Sequence, residues 1–141
     1  MIFISAEAKN QMGEDARRTY PDECCGFMFG KESGIDRLVD IISVVDNSKV
    51  GDKRRRFEIS PVDYMKAEQL ALDQDMALLG VYHSHPNHPA IPSEHDRIAA
   101  QPWFSYVIIS VLSQEDISFR SWRLNEETQF EEETIANVQL T

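Results

Sequence analysis

Short apolar runs separated by polar segments make up most of this sequence, and three stretches carry helix signals instead. In the first, Ala8, Met12 and Ala16 recur every four residues, which places them on one face of a helix. The second begins with Ser60 and Pro61, a capping side chain followed by proline at the first helical position. The pattern predicts helices over residues 5–19 and 60–74 and a short helix over residues 93–100.

The apolar runs predict strands. Residues 76–82 are apolar on both faces, which is typical of a central strand in a covered sheet, and residues 106–112 predict a second central strand. The other predicted strands are 1–4, 25–29, 37–45, 57–59, 117–124 and 128–135, with a polar tail after them. This order predicts an α/β fold, a mixed β-sheet flanked by helices, in a single domain over residues 1–141.

The net negative charge of the chain argues against two classes of binding partner, nucleic acids and membranes. Lysine and arginine number 14 against 24 acidic residues, a formal net charge of −10. We expect no nucleic-acid partner and no docking on a membrane, because both anionic surfaces are held by positive protein surface. No apolar run approaches the roughly 20 residues that span a bilayer. Cys24 and Cys25 are neighbours, a poor geometry for a mutual disulfide, so we expect a reducing, cytoplasmic setting.

The segment after the first central strand carries the chemistry of this sequence. His83 and His85 stand two residues apart at the end of that strand, so both imidazoles face the same side of the sheet. Two rings at that spacing converge on one metal ion, since a Zn–N bond is only about 2 Å long. Pro86 turns the chain away, and it returns with Ser93 opening a helix that carries Asp96. Two histidines and one carboxylate leave a fourth zinc position for water, as in hydrolytic sites.

Each part of this pattern also has a purely structural interpretation. Ser93 and Asp96 have the spacing of a capping box, which needs no metal. Two histidines at strand spacing form a hydrogen-bonded pair in some protein cores. The combination favours a metal site, because a helix cap does not explain why two histidines end the strand. His88 and His95 are interpreted as surface residues.

A hydrolytic site also needs a group that takes a proton from water and returns it to the leaving amine. Glu23 is the best candidate because it lies at the lip of the buried strand 25–29, and the alternative is an ordinary exposed loop glutamate. The two adjacent cysteines are interpreted as small buried apolar side chains. One dense basic cluster either docks an acidic face of a partner or is a solvated loop. It consists of Lys53, Arg54, Arg55 and Arg56.

The sequence resembles a known family, the JAMM (MPN-plus) zinc metallopeptidase domain, and in particular its small stand-alone bacterial members. The motifs that carry the resemblance are Pro21-x-Glu23-x-x-Gly26 and His83-x-His85-Pro86, the latter followed after six residues by Ser93-x-x-Asp96. The resemblance spans nearly the whole chain. It implies the cytidine-deaminase-like (JAB1/MPN) α/β sandwich as the fold.

The resemblance also implies a role for each site residue. His83, His85 and Asp96 would bind one Zn²⁺ per chain. Glu23 would be the general acid/base that acts through the metal-bound water. Ser93 would stabilise the oxyanion of the tetrahedral intermediate.

The activity implied by the resemblance is hydrolysis of the amide bond after the C-terminal Gly-Gly of a ubiquitin-like protein, through a metal-activated water. For the small bacterial members the implied partner is a ubiquitin-like sulfur-carrier protein, from which cysteine or a short extension is released. A non-catalytic module that binds a ubiquitin-like partner is the alternative from another class. A zinc deaminase of the same fold is disfavoured, because adjacent cysteines do not supply its Cys-x-x-Cys ligand pattern. The sequence predicts no oligomeric state.

Overall fold

The computed structural model describes residues 1–137, which form three helices and eight strands. The helices are α1 (Ala6–Thr19), α2 (Pro61–Asp73) and α3 (Glu94–Ala99). The strands are β1 (Ile2–Ile4), β2 (Cys25–Ser33), β3 (Asp36–Val45), β4 (Ala77–Pro86), β5 (Ser105–Val111), β6 (Ile117–Leu124), β7 (Phe130–Glu133) and β8 (Ile135–Asn137). Among the described residues, none of the helices combines the length and the apolar character that a membrane crossing requires.

The strands form one mixed sheet in the order β7-β6-β5-β4-β2-β3-β1-β8. Strand β4 pairs antiparallel with β2 and parallel with β5, so it lies in the interior of the sheet. Only Thr134 separates β7 from β8, although the two strands lie at opposite ends of the order. The two sheet edges therefore approach each other, and the Thr134 carbonyl accepts a hydrogen bond from the Ile2 N–H at 3.0 Å. The predicted α/β fold with a mixed sheet is confirmed.

Side chains that alternate along the strands build one apolar core on each face of the sheet. The first core packs α1 against the sheet through Ala8, Met12 and Ala16, the helix face that the four-residue spacing predicts. The second core packs α2 against the opposite face through Ala67 and Ala71. Val81 belongs to this second core, and the strand period of two then places His83 and His85 on the α2 face as well.

The helices begin where the sequence predicts, for a local reason. Each helix follows a serine whose Oγ accepts the N–H of the residue three positions on; these serines are Ser5, Ser60 and Ser93. A capping oxygen satisfies one of the backbone donors that the first turn of a helix leaves without a partner. Helix α1 ends at Thr19, and its C-cap residue Tyr20 immediately precedes Pro21. These starts depend on residues adjacent in the chain, which is why spacing alone predicts them.

The structure corrects two predicted strands. Residues 57–59 do not form a strand; the Glu58 N–H donates to Asn47 Oδ1 and the Glu58 carbonyl accepts the Ser48 N–H, so loop contacts take the place of a strand partner. The predicted strand over residues 128–135 is divided into β7 and β8, which pair with β6 and β1 respectively. The predicted polar tail therefore begins within β8, and residues 138–141 lie outside the described part of the chain.

Candidate metal centre and its cleft

The two histidines of the predicted site lie side by side on β4. Both side chains are buried, with His83 1% and His85 8% exposed. Their Nε2 atoms are 3.2 Å apart, and the Phe57 ring stacks on the His83 ring with centroids 4.5 Å apart. The imidazole nitrogens therefore converge on one point, and an aromatic wall holds one of the rings in place.

Asp96 reaches the same point from α3. Its Oδ2 lies 3.1 Å from His85 Nε2 and 3.4 Å from His83 Nε2. The same oxygen accepts the Ser93 N–H at 2.9 Å, while Ser93 Oγ accepts the Asp96 N–H at 3.0 Å. The capping box predicted from the sequence is therefore formed. It does not compete with a metal site, because the cap directs the Asp96 carboxylate towards the two imidazoles.

The three converging atoms have the separations that zinc requires. A tetrahedral ion with ligands at about 2.0–2.1 Å has ligand atoms roughly 3.3–3.4 Å apart. The separations among His83 Nε2, His85 Nε2 and Asp96 Oδ2 are 3.1, 3.2 and 3.4 Å. The residues present therefore fit a tetrahedral divalent ion with one open position.

The placement of protons supports the same conclusion. His85 Nδ1 lies 3.0 Å from the Pro89 carbonyl oxygen, which accepts only if Nδ1 carries the proton. A proton on Nδ1 leaves Nε2, on the side that faces Asp96, as the ring nitrogen available to a metal ion. Burial opposes ionisation of Asp96, but His83 and His85 outweigh it and hold the pKa of Asp96 well below its usual range. Burial lowers the pKa of His83.

Glu23 lies beside this centre, on the segment between α1 and β2. Its carboxylate is within 4.8 Å of the ligand nitrogens of His83 and His85, and the residue is only 3% exposed. Its Oε1 has no hydrogen-bond partner. Burial, followed by the charges of Asp96 and Asp52, raises the pKa of Glu23 from 4.5 to about 9. The alternative of an exposed loop glutamate is therefore wrong.

The backbone around Glu23 is held by the loop between β3 and α2. The Glu23 N–H donates to the Lys53 carbonyl at 2.7 Å, and Asn47 Nδ2 donates to the Glu23 carbonyl at 3.1 Å. Asn47 also donates to the Arg56 carbonyl and accepts the Glu58 N–H. The sequence analysis missed this role of Asn47, because a polar residue in a loop carries no local signal of what it contacts.

Two pockets meet at the centre. The first, of about 310 Å³, is lined by His83 and Asp96 together with Phe57, Tyr64 and His95 among others. The second, of about 220 Å³, is lined by Glu23, Arg55, His85, His88 and Ser93 among others. Because His85 contacts both His83 and Asp96, the two pockets lie on adjoining sides of the three converging atoms, and we call the two together the cleft.

The structure also places the other residues singled out in the sequence. His88 is exposed, as predicted, although it lies on the rim of the second pocket. His95 is half-buried on the wall of the first pocket, so its interpretation as a plain surface residue is wrong. Both cysteines are buried, and burial raises the pKa of Cys25 to about 12, which leaves its thiol protonated at neutral pH.

A family model described as prokaryotic homologs of the JAB domain matches residues 5–125. The chain belongs to this family. Among curated proteins it is 31% identical over 110 residues to a desampylase of Pyrococcus furiosus, covering 78% of this chain and 72% of the relative. It is 30% identical over 125 residues to the CysO-cysteine peptidase of Mycobacterium tuberculosis, covering 88% of this chain and 83% of the relative. The resemblance noted in the sequence is confirmed.

Solved structures share the fold. A protein of Desulfitobacterium hafniense matches with a TM-score of 0.89 at 28% identity, over 99% of this chain and 94% of that one. A protein of Salinibacter ruber matches with a TM-score of 0.73 at 33% identity, over 96% and 90%. A JAB1/MPN domain protein of Archaeoglobus fulgidus matches at 0.61 and 19% identity, over 96% and 98%. The fold class is therefore the JAB1/MPN sandwich.

Proposed function

We propose that this protein is a zinc-dependent peptidase that hydrolyses the amide bond after the C-terminal Gly-Gly of a ubiquitin-like sulfur-carrier protein. The observation that carries the proposal is the convergence of His83, His85 and Asp96 within 3.4 Å of one another, beside a buried Glu23 with an unpaired oxygen. A helix cap explains Asp96 but explains neither the paired imidazoles nor the buried glutamate. Membership in the JAB family supports the same chemistry.

His83, His85 and Asp96 would hold one zinc ion per chain. Bound zinc supplies Lewis acidity, which polarises a carbonyl oxygen and lowers the pKa of water. The donor set suits this ion, since two neutral imidazoles and one carboxylate leave a fourth position open. His85 keeps its orientation through the hydrogen bond between its Nδ1 and the Pro89 carbonyl.

Glu23 would move the proton that hydrolysis requires. Water adds to the amide carbonyl and loses a proton to the Glu23 carboxylate, and the C–N bond then breaks as that proton passes to the leaving nitrogen. The carrier regains a C-terminal carboxylate, and the released group regains a free amine. The metal-free pKa of about 9 shows how strongly the site opposes a bare negative charge on Glu23, and a nearby cation would lower it.

Ser93 would stabilise the oxyanion that forms on the carbonyl oxygen. Its Oγ accepts the Asp96 N–H, which leaves its hydroxyl hydrogen free to donate. The side chain also lines the second pocket, together with Glu23 and His85. It is therefore positioned to donate to an oxygen at the centre of the cleft.

The cleft suits a thin, extended polypeptide tail. Aromatic side chains line the first pocket, among them Tyr106 and Phe57, which stacks on His83. Glycine has no side chain to clash with such walls and adopts extended conformations freely. The relatives support a ubiquitin-like partner, since one is named a desampylase and another a CysO-cysteine peptidase.

The proposal is tested by measuring zinc content and hydrolysis together. The substrate is a ubiquitin-like carrier that ends in Gly-Gly and bears one added cysteine, and cleavage is followed by mass spectrometry. We expect about one zinc per wild-type chain and release of cysteine. Glu23→Gln should keep the zinc and lose about 10²–10⁴-fold in kcat, because it cannot accept a proton. Asp96→Asn should lose most of the zinc.

Asp22→Asn is the matched control, since it removes a carboxylate from the same segment at a half-buried position outside both pockets. It should keep both zinc and turnover. Undiminished cleavage by Glu23→Gln would contradict the role of this residue. Tight carrier binding without zinc and without turnover would instead support the non-catalytic binding module.

A further inference from the structure

We propose that Arg55 binds the α-carboxylate of the residue released by hydrolysis, so that the enzyme removes a single C-terminal residue in preference to cutting an isopeptide bond. This inference rests on the proposed peptidase function and adds the residue that recognises the leaving group. It concerns the second pocket, on the side of the centre away from Phe57 and Tyr64.

The loop that carries Arg55 is tied to the catalytic segment. The Lys53 carbonyl accepts the Glu23 N–H at 2.7 Å, and Asn47 links the Glu23 and Arg56 carbonyls. Arg55 lies between these two attachment points and lines the second pocket beside Glu23. The position of Arg55 relative to Glu23 is therefore set by hydrogen bonds on both sides of it.

The guanidinium of Arg55 is available to an incoming anion. Its Nε lies 3.9 Å from Asp52 Oδ1, which is longer than a hydrogen bond, and 79% of the side chain is exposed. Arginine keeps its positive charge at any physiological pH and binds carboxylates through two parallel hydrogen bonds. A protein with a net charge of −10 needs such a local cation to attract a carboxylate into its cleft.

A leaving group of one residue carries its amine and its carboxylate close enough together for Glu23 and Arg55, which line the same pocket, to meet one group each. In an α-amino acid the amine nitrogen and the carboxyl carbon are about 2.5 Å apart, so both fit in a pocket of about 220 Å³. The amine would leave beside Glu23 while the carboxylate is directed towards Arg55. A lysine linked through its Nζ has a four-carbon side chain at this place and no free carboxylate near the bond that is cut.

The test compares three substrates that share one carrier ending in Gly-Gly. The first bears an added alanine as the free acid, the second bears alanine amide, and the third is linked to Nζ of lysine in a short peptide with blocked ends. We expect wild-type kcat/KM to be about 10-fold higher for the free acid than for the other two. Arg55→Gln should reduce the acid-to-amide ratio to about 1, and Arg55→Lys should restore part of it.

Arg54→Gln is the matched control, because Arg54 belongs to the same basic cluster but lines neither pocket. Arg54→Gln should keep the wild-type acid-to-amide ratio of kcat/KM. The proposal would be overturned if the wild type cleaved the acid and the amide at equal rates, or if Arg54→Gln lowered the acid-to-amide ratio of kcat/KM as much as Arg55→Gln does.

A binding measurement tests the role of Arg55 separately from turnover, by comparing the affinities for the acid and amide carriers in fluorescence anisotropy. If nothing is cleaved, the peptidase function fails, while a preference for the acid that Arg55→Gln abolishes still supports the role of Arg55.

Discussion

At the scale of single residues, Ser93 and Asp96 each have a structural contact and a proposed chemical role. Ser93 Oγ caps α3 by accepting the Asp96 N–H, and its hydroxyl hydrogen remains free to donate. Asp96 Oδ2 accepts the Ser93 N–H and also faces the two imidazole nitrogens. The two roles of Ser93 differ in magnitude, since an N-cap contributes about 1 kcal/mol to stability and an oxyanion donor about 10²–10³-fold to kcat.

Substitution of Ser93 separates these two roles. We expect Ser93→Ala to lower the free energy of unfolding by about 1 kcal/mol and to lower kcat about 10²-fold or more, with little change in KM. Ser60→Ala is the control, because Ser60 Oγ also accepts the N–H three residues on, that of Asp63, although its hydroxyl donates to the Asp63 carboxylate. Urea denaturation and steady-state kinetics of both variants provide the measurement. Equal kcat values in the two variants would show that Ser93 is only a cap.

At the scale of elements, the pairing of β2 with β4 brings Glu23 close to the histidines. Gly26 lies opposite Tyr82 in this pair, and a Cβ at position 26 would lie 2.3 Å from the Tyr82 ring. The ring is held from its other end, because the Tyr82 hydroxyl donates to buried Asp15 of α1 at 2.8 Å. The glycine of the Pro21-x-Glu23-x-x-Gly26 motif is therefore explained by the space that Tyr82 occupies. This packing fixes β2 against β4 directly beside the site.

We expect Gly26→Ala to destabilise the protein by about 1–3 kcal/mol, because neither the Tyr82 ring nor the Ser43 carbonyl, 2.5 Å from the added Cβ, has room to move. Thermal unfolding followed by circular dichroism measures the effect. Gly13→Ala is the control in α1, where the added Cβ would lie 3.2 Å from the terminal carbon of Ile117 and alanine favours the helix. Equal melting temperatures for Gly26→Ala and the wild type would contradict this account.

At the scale of the whole molecule, the buried Glu23 couples stability to pH in the metal-free protein. Burial first, and then the charges of Asp96 and Asp52, raise its pKa from 4.5 to about 9. The unfolded chain therefore loses this proton near pH 4.5, whereas the folded protein keeps it up to about pH 9. Stability must fall as the pH rises between these two values, because the unfolded state is the one that ionises.

Glu23→Gln should remove this dependence, since glutamine has the same shape and carries no charge. In the presence of a chelator we expect the variant to exceed the wild type in free energy of unfolding by on the order of 1–3 kcal/mol at pH 8 and by much less at pH 5. Urea denaturation at the two pH values provides the measurement. Asp22→Asn should show no comparable increase in the free energy of unfolding at pH 8. A difference between Glu23→Gln and the wild type that is the same at both pH values would refute the coupling.

The signals that the sequence carried were local ones. The helix starts at Ser5, Ser60 and Ser93 were predictable because a cap and the donor it satisfies are three residues apart. The shared face of His83 and His85 followed from the strand period of two. Residues 57–59 had the alternation of a strand, but the Glu58 backbone bonds to Asn47 and Ser48 instead, and alternation does not show which partner a segment meets. The division of residues 128–135 had the same origin, because β8 pairs with β1 at the far edge of the curled sheet.

Sequence alone thus determined the α/β class, the helix caps and the identity of the residue types that suit a zinc ion, because each depends on spacing within a few positions. Only the tertiary structure decided that Asp96 meets the imidazoles at 3.1 and 3.4 Å, that Glu23 is buried beside them and that Arg55 lines the second pocket. These residues come from a strand, a helix and two separate loops. Their distances are set by sheet register and by loop contacts such as that between Glu23 and Lys53, which spacing along the chain does not encode.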